Sequence, residues 1–193
     1  MAMNVLGNGL YCANHYEDAL SVREAEFAYE RRMGRTLVDQ LRVKLNMASC
    51  YNHLGREEES LAIKREAYAA FTASSKVSAN HRLSAAVNLA SALIDSSVTR
   101  NLDEALPFLL ARIPEAQQSL GKDHDTTFKL QRMYAQCCHG KGDLTECVAT
   151  LEDLERRQRR VLGPNHPQTK ATEKYGASVC ALIRKLSLSI RDA

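Results

Sequence analysis

Apolar residues recur along the chain at helical spacing, and the same arrangement returns about every 42 residues. The arrangement is clearest between Met47 and Tyr68, where Met47 and Tyr51 belong to one apolar stripe, Leu61 and Tyr68 belong to another, and Gly55 lies between them. Apolar positions three or four residues apart indicate amphipathic helices, and a glycine between two such stripes indicates a turn. The segment therefore predicts a helical hairpin.

Three further segments repeat this hairpin. Each carries a small residue and a larger packing residue on its first helix, and an apolar residue near the start of its second. These positions hold Gly7, Leu10 and Leu20 in the first repeat, Ala48, Tyr51 and Leu61 in the second, Ala90, Leu93 and Leu106 in the third, and Ala135, Cys138 and Val148 in the fourth. The predicted repeats are approximately 1–34, 35–79, 80–121 and 122–163, with a C-terminal capping helix in 164–193. All of them are expected to form a single domain over 1–193.

Turn residues support this register. Asn14 tolerates the left-handed conformation that Gly55 supplies in the next repeat. A motif of the form Leu-Gly-x-x-His-x-x-Thr occurs twice between repeats, as Leu120, Gly121, His124 and Thr127 and as Leu162, Gly163, His166 and Thr169. We expect its glycines to end the preceding helix and the hydroxyl groups of its threonines, with that of Thr126, to cap the following one. Since the loop is duplicated, both histidines are predicted to be structural.

These motifs resemble the tetratricopeptide repeats of the kinesin light chain and nephrocystin type. The matching pieces are Asn46-Met47-Ala48, Asn88-Leu89-Ala90, Gly55 with the acidic start of the helix after it, and the two duplicated loops. The unit of about 42 residues is longer than the roughly 34 of ordinary tetratricopeptide repeats. The resemblance implies an all-α fold, a right-handed α-solenoid of stacked antiparallel helix pairs whose first helices line a concave groove.

The resemblance also implies a non-catalytic scaffold that binds a peptide or a partner helix in this groove. Asn46 and Asn88 match the asparagine with which such grooves hold a peptide main chain, because an amide both donates and accepts hydrogen bonds. The predicted peptide-binding residues are Arg42, Asn46, Ser49, Asn52, His53, Asn88, Ser91, Asp95, Lys129, Arg132, Gln136 and His139. Other positions on the same faces are Asn4, Asn8, Tyr11, Leu45, Ser84, Val87, Ile94, Met133 and Lys174. The basic members favour a partner with acidic residues.

Composition and charge limit the classes of partner that we expect for this chain. The 193 residues are 45% hydrophobic and 25% charged, as in a folded soluble protein, and the net charge of +3 is too small to indicate nucleic acid or an anionic membrane. Neither a long apolar run nor a secretory signal is visible. We therefore expect a cytoplasmic protein with a protein or peptide partner, no nucleic acid and no membrane. Its oligomeric state is left open.

The six cysteines favour reduced thiols in packing positions over disulfides, because nothing in the sequence indicates secretion. Cys137-Cys138-His139 resembles a metal site only superficially, since successive helical residues point in different directions and the ligand spacing of structural zinc sites is absent. No metal and no cofactor are predicted.

Three other functions were weighed against peptide binding. Arg156, Arg157, Arg159 and Arg160 follow acidic residues on one helix, which complements the helix dipole better than it indicates nucleic-acid binding. Enzymatic activity is not expected, because the sequence has no phosphate-binding glycine loop, nucleophile elbow or zinc-protease motif.

Self-assembly through the terminal hairpins is the main alternative. It rests on Met1, Met3, Val5 and Leu6, which give the first helix no polar cover. The short array is also compatible with a fragment of a longer one.

Overall fold

The computed structural model describes residues 2–97 and 100–191, with side chains described as far as Leu186. Within these ranges the chain forms nine α-helices and no strand. The helices are α1 (Ala2–Cys12), α2 (Tyr16–Arg32), α3 (Leu37–His53), α4 (Glu57–Ala73), α5 (Ala79–Asp95), α6 (Leu102–Ser119), α7 (Asp125–Gly140), α8 (Leu144–Val161) and α9 (Pro167–Arg191). The all-α prediction is therefore confirmed.

The chain divides into two compact units, Met1–Arg100 and Asn101–Ala193. Unit 1 contains α1 to α5 and unit 2 contains α6 to α9, and within each unit every helix packs against the next one along the chain. The boundary falls inside the third predicted repeat, in the polar loop after α5. Part of this loop, Val98 and Thr99, lies outside the described residues. The assignment of the whole chain to one repeat domain stays a prediction.

Small residues let neighbouring helices approach closely. Ala48 in α3, Ala90 in α5 and Ala135 in α7 are each fully buried at the same repeat position. The cores beside them include Leu41, Ala67, Phe71, Val77 and Ala85 in unit 1, and Ala135, Cys138, Cys147, Leu151 and Val179 in unit 2. The packing role of Cys138 and Cys147 is confirmed. All six cysteines are thiols, and Cys12 differs from the others because it is exposed.

The two predicted left-handed turn residues in the first hairpins are confirmed. Asn14 has φ +64° and Gly55 has φ +73°. In both turns a residue just after the left-handed one donates its N–H to a carbonyl of the preceding helix, His15 to Leu10 at 2.9 Å and Arg56 to Tyr51 at 2.8 Å. This bond satisfies a carbonyl that has no partner within the helix, so the chain reverses direction in a few residues.

The duplicated loops are built differently from what the sequence suggested. Nδ1 of His124 accepts a hydrogen bond from the Thr126 N–H at 3.2 Å, and Nδ1 of His166 accepts one from the Gln168 N–H at 3.3 Å. The imidazoles, not the threonine hydroxyls, therefore cap α7 and α9. The threonine prediction was wrong because these hydroxyls point back into the preceding turn. Thr127 donates to the Gly121 carbonyl at 2.8 Å, and Thr169 donates to the Gly163 carbonyl at 2.9 Å.

The structural role predicted for His124 and His166 is thus confirmed. The loops of unit 1 instead use hydroxyl caps: Thr36 Oγ1 accepts from the Asp39 N–H, and Ser78 Oγ accepts from the His81 N–H. Across the described parts of the chain, no helix is long and apolar enough to cross a membrane.

Candidate functional site

The twelve predicted peptide-binding residues lie on α3 and α5 of unit 1 and on α7 of unit 2, and each is exposed or half-buried. We call these surfaces the first-helix faces of unit 1 and unit 2. Two further positions assigned to them, Ile94 and Met133, are only 8% and 6% exposed and belong to the core. That part of the face assignment was wrong, because α5 and α7 bury a wider stripe than a surface helix does.

Asn46 and Asn88 occupy the same position in successive repeats of unit 1, and both are half-buried. Asn46 lines a cleft of about 150 Å³ together with Ser49, Asn8, Tyr11, Arg23 and Cys50. Within the part of the chain that the structure describes, neither amide has a hydrogen bond to another side chain or to the backbone. Both therefore keep a donor and an acceptor for a ligand.

The floor of this cleft is a buried ion pair that the sequence did not predict. Arg23 is 2% exposed and Glu26 is 3% exposed, and Nη1 of Arg23 lies 2.6 Å from Oε2 of Glu26. Asn8 accepts a second hydrogen bond from Arg23. The sequence held one signal of this pair, the glycine at position 7 where later repeats have alanine. A Cβ at Gly7 would lie 2.8 Å from Cζ of Arg23.

Arg42 belongs to the same network. Its Nη2 lies 3.6 Å from Oε1 of Glu26, so one of the basic side chains assigned to the face already faces a carboxylate. Since Glu26 is buried and Arg42 is 43% exposed at its side chain, a charge reversal at Arg42 would disturb the ion pair as well as any ligand. Arg42 is therefore a poor position for testing binding.

A second cleft of unit 1, of about 180 Å³, brings together Asn52, Ser91 and Asp95 with Glu57, Ala92 and Ser96. Ser91 donates to Asp95 at 2.8 Å, and Ser96 and Ser97 both donate to Glu57. The cleft is acidic, contrary to the mildly basic groove that Arg42 suggested for this unit. Burial lowers the pKa of nearby Lys64, and the carboxylates of Asp95 and Glu57 oppose that shift.

His53 lies outside both clefts and stacks on aromatic rings. Its ring centroid is 4.3 Å from that of Tyr16 with an interplanar angle of 8°, and Tyr11 meets it edge-on at 5.2 Å. Such contacts each contribute about 1 kcal/mol, so His53, at the end of α3, has a packing role against the α1–α2 turn.

In unit 2, Lys129 and Arg132 line a cleft of about 230 Å³ between α7 and α9. Lys129 is paired with Asp125 at 2.6 Å, whereas Arg132 has no ion pair among the described residues. Gln158 and Thr172 also line the cleft and are 2% and 0% exposed. Among the residues that the structure describes, Oε1 of Gln158 and Oγ1 of Thr172 have no hydrogen-bond partner. The cleft thus combines an exposed guanidinium with buried polar atoms that a ligand could satisfy.

The last two predicted residues of unit 2 differ in availability. Nδ1 of His139 lies 2.8 Å from the Tyr175 hydroxyl, which ties α7 to α9. Burial raises the pKa of Tyr175 to about 12, so this hydroxyl keeps its proton at neutral pH. Gln136 is half-buried and lies outside the described clefts. His139 is therefore better explained as a helix-to-helix contact than as a ligand contact.

The arginines of α8 face carboxylates of their own unit. Arg156 and Arg157 pair with Asp153, Arg159 pairs with Glu155 at 2.7 Å and Glu173 at 3.0 Å, and Arg160 pairs with Asp123 at 2.6 Å. Because each of these arginines has a carboxylate partner within unit 2, the charged run is explained without binding to nucleic acid.

Metal and thiol chemistry find little support. No group of three or more His, Cys, Asp or Glu residues in the described ranges is placed to hold a metal ion. Burial raises the pKa of Cys147 to about 11 and also raises those of Cys138 and Cys50, so these thiols stay protonated near neutral pH. A protonated thiol is a weak nucleophile.

No protein-family model matches the sequence, and no curated protein is significantly similar to it. Solved structures are informative. Two crystal structures of nearly identical TPR-like repeats, from a Podosopora anserina protein assigned to kinesin light chains, superimpose with TM-scores of 0.73 and 0.71 at 17% identity. Each match covers 100% of this chain and 96% of the other. BtubC (BKLC) from P. vanneervenii matches with a TM-score of 0.71 at 11% identity, over 85% of this chain and 65% of that one.

The fold is that of kinesin light chain-like tetratricopeptide repeats. The resemblance inferred from the repeated motifs is thereby confirmed at the level of the fold, as is the architecture of stacked antiparallel helix pairs. Tetratricopeptide-type folds present extended surfaces to other proteins. In this chain, the predicted peptide-binding residues lie on the two first-helix faces.

Proposed function

We propose that the chain is a non-catalytic protein-interaction module that holds an extended peptide of a protein partner on its first-helix faces. The observation that carries this proposal is the pair of asparagines at equivalent positions, Asn46 and Asn88. Both amides are half-exposed and unengaged among the described residues. An unengaged amide can pair with a peptide main chain whatever the peptide sequence is.

The unit 2 cleft supports an acidic preference in the partner. Arg132 is exposed there without an ion pair among the described residues, and the buried Gln158 and Thr172 offer polar atoms at the base. A carboxylate beside Arg132 would gain a charge-assisted hydrogen bond, which is stronger than one between neutral groups. The proposal also includes that the first helices line a concave groove and that the protein is cytoplasmic.

The test is selection from a random peptide library on the immobilised protein, followed by affinity measurement of the selected peptides. We expect the double variant Asn46→Ala/Asn88→Ala to weaken binding by about tenfold, the loss of two hydrogen bonds of ordinary strength. Asn80→Ala/Asn165→Ala removes two exposed amides elsewhere and serves as the matched control. Equal binding by both double variants, with helix content unchanged, would remove the asparagines from the proposal.

Arg132→Glu tests the acidic preference separately. Peptides that carry acidic residues should lose affinity with this variant, and neutral ones should not. If acidic peptides bind the variant as tightly as the wild type, the preference is wrong and the peptide proposal can still stand on the asparagines.

Self-assembly is the second candidate, and exposed apolar side chains favour it. On α1, Val5 is 70% exposed and Leu6 is 54% exposed, and on α9 Leu182 and Leu186 are 37% and 47% exposed. Burying what remains exposed of such side chains between copies would contribute roughly 1 kcal/mol each, since complete burial of an exposed one is worth about 1.5 to 3 kcal/mol. Light scattering tests this candidate: assembly requires a mass that rises with concentration and falls back in Val5→Lys, and a constant monomer mass excludes it.

A further inference from the structure

The widest of the described clefts lies outside both first-helix faces. It has a volume of about 420 Å³ and is walled by α6 and α8, with α7 between them. Leu110, Ile113 and Pro114 form its α6 wall, and Glu146, Ala149, Thr150 and Asp153 form its α8 wall. Residues of the α8 wall recur at helical spacing, with small residues in the middle and a carboxylate at each end. We call this space the outer cleft of unit 2.

Unit 1 contains the same positions, and its own chain occupies them. Lys44 stands three residues before Met47, as Gln131 stands three residues before Tyr134. Nζ of Lys44 lies 2.5 Å from Oε1 of Glu66 and 5.2 Å from the ring centroid of Phe27. An ammonium group thus fills the unit 1 position, held between a carboxylate and an apolar wall.

The walls of the two units correspond at two positions. Phe27 and Ile113 each follow the apolar marker of their helix, Leu20 or Leu106, by seven residues. Glu66 and Asp153 likewise follow Leu61 and Val148 by five. The carboxylate and the apolar wall are therefore present in both units, and only the lysine is missing from unit 2.

Gln131 does not replace that lysine. Its Oε1 accepts a hydrogen bond from Arg157, which also donates to Asp153 at 2.9 Å. Arg157 therefore neutralises the Asp153 carboxylate at one end of the outer cleft, but it does not fill the cleft.

The other end carries a carboxylate that lacks a cation. In unit 1, Glu59 pairs with Arg56. In unit 2 the corresponding residues are Glu146 and Asp143, an acid in place of the arginine. Glu146 accepts a hydrogen bond from the Tyr134 hydroxyl at 3.2 Å and has no ion pair among the described residues.

We propose that the outer cleft of unit 2 binds a basic segment of a partner protein, placing a lysine or arginine against Glu146 and its apolar neighbour against Leu110 and Ile113. The occupant supplies in trans the kind of cationic group that Lys44 supplies within unit 1, but at the end of the cleft where Glu146 takes the place of Glu59. This surface is distinct from the first-helix faces and prefers the opposite charge, so one chain can bind an acidic and a basic segment at different places.

The experiment selects a random peptide library in parallel on the wild type and on Glu146→Gln, an exposed and nearly isosteric change. Peptides enriched only on the wild type are then synthesised, and their affinities are measured by fluorescence anisotropy. We expect these peptides to carry lysine or arginine next to an apolar residue and to lose about tenfold in affinity with Glu146→Gln, as for a charged hydrogen bond.

Two further variants test the geometry. Gln131→Lys supplies the cation that unit 1 has, and Ala149→Leu fills the cleft without changing its charge, so both should weaken the same peptides about tenfold. Circular dichroism verifies that each variant is folded. Arg132→Glu, on the first-helix face, should leave these affinities unchanged, which separates this proposal from the one above.

Several results would overturn the proposal. They are the absence of any peptide dependent on Glu146, a selected set without basic residues, and full affinity in a folded Ala149→Leu variant. A self-association that Ala149→Leu abolishes would assign the cleft to a second copy of the chain instead, and would also overturn it.

Discussion

Helix α2 of unit 1 and helix α8 of unit 2 fill the same two core positions with residues of opposite chemistry, charged in α2 and apolar in α8. In α2 these positions hold Arg23 and Glu26, and in α8 they hold Leu151 and Leu154, three and six residues after Leu20 and Val148. The exposures are alike, 2% and 3% for the ion pair and 2% and 0% for the leucines. The repeat register therefore fixes which positions are buried without fixing what is buried there.

The ion pair is tolerated in unit 1 because its surroundings differ from those in unit 2. Gly7 leaves room for the guanidinium at a position where Ala135 has a methyl group in unit 2. Asn8 accepts a hydrogen bond from Arg23, and Asn4 donates to Glu26 at 3.5 Å. Removing two charges from water is costly unless their remaining polar atoms are also satisfied. The difference between the units thus lies in the neighbours on the first helix.

The largest expected effect comes from moving the ion pair into unit 2. Leu151→Arg/Leu154→Glu would place a guanidinium against the Ala135 methyl group and without asparagine partners. We expect unit 2 to lose about 4 kcal/mol of stability, as for an unsatisfied buried charge. Because two units need not unfold together, the measurement is amide hydrogen exchange in α8 compared with α2.

Leu151→Met/Leu154→Met is the matched control, since it keeps the volume and adds no charge. It should cost less than half as much as the charged pair. If the charged pair is no worse than the methionines, the neighbours of Arg23 are not what makes the ion pair tolerable.

A slightly smaller effect is expected from breaking the pair where it exists. Glu26→Leu leaves Arg23 buried without its carboxylate, so unit 1 should lose about 3 kcal/mol, seen as faster exchange in α1 to α3. Arg23→Leu/Glu26→Leu copies the leucine pair of unit 2 and should restore most of that loss. An equal loss in the single and double variants would mean that the lost packing of Glu26, rather than the stranded charge, causes the effect.

The sequence predicted the apolar pattern that recurs and missed specific polar contacts, both those that occur once and the histidine caps of the duplicated loops. Helix positions, the turns at Asn14 and Gly55 and the packing cysteines all follow from the repeated apolar pattern, because periodic burial sets the helix faces. The Arg23–Glu26 pair was missed because the corresponding positions are both apolar in the fourth repeat and hold only one charged residue, Lys64 or Arg112, in the second and third. Only the exceptional Gly7 signalled the pair.

The candidate site was predictable to a lesser degree. Helical geometry placed Asn46 and Asn88 at accessible positions, but it could not show that Arg42 is already paired with Glu26 of another helix. The Asp125–Lys129 pair, four residues apart on one helix, follows the helical period, whereas a partner from another helix depends on side-chain reach. The outer cleft also escaped, because it depends on Gln131 replacing a lysine that unit 1 has.

The smallest expected effect concerns Lys64, which stands in unit 1 where Leu109 and Leu151 stand in unit 2. Lys64 is 7% exposed, and burial lowers its pKa below the ordinary 10.5. A lysine whose pKa is lower in the folded state binds its proton more tightly when unfolded, so stability rises with pH between the lowered value and 10.5. Below that window the cost of the buried charge is fully present.

Lys64→Met removes this charge, and we expect stability near neutral pH to stay within about 1 kcal/mol of the wild type or to increase, since an apolar residue often replaces a buried charge without loss. The advantage of the variant should shrink as pH rises through the window, because the wild type then loses its charge as well. Denaturant unfolding of both proteins over the alkaline range, with the difference taken at each pH, isolates Lys64 from the other titrating groups. If the stability difference between the two proteins is constant with pH, the carboxylates of Asp95 and Glu57 fully offset the effect of burial on the pKa of Lys64. Unit 1 would then accommodate a charged lysine at this position as readily as unit 2 accommodates a leucine.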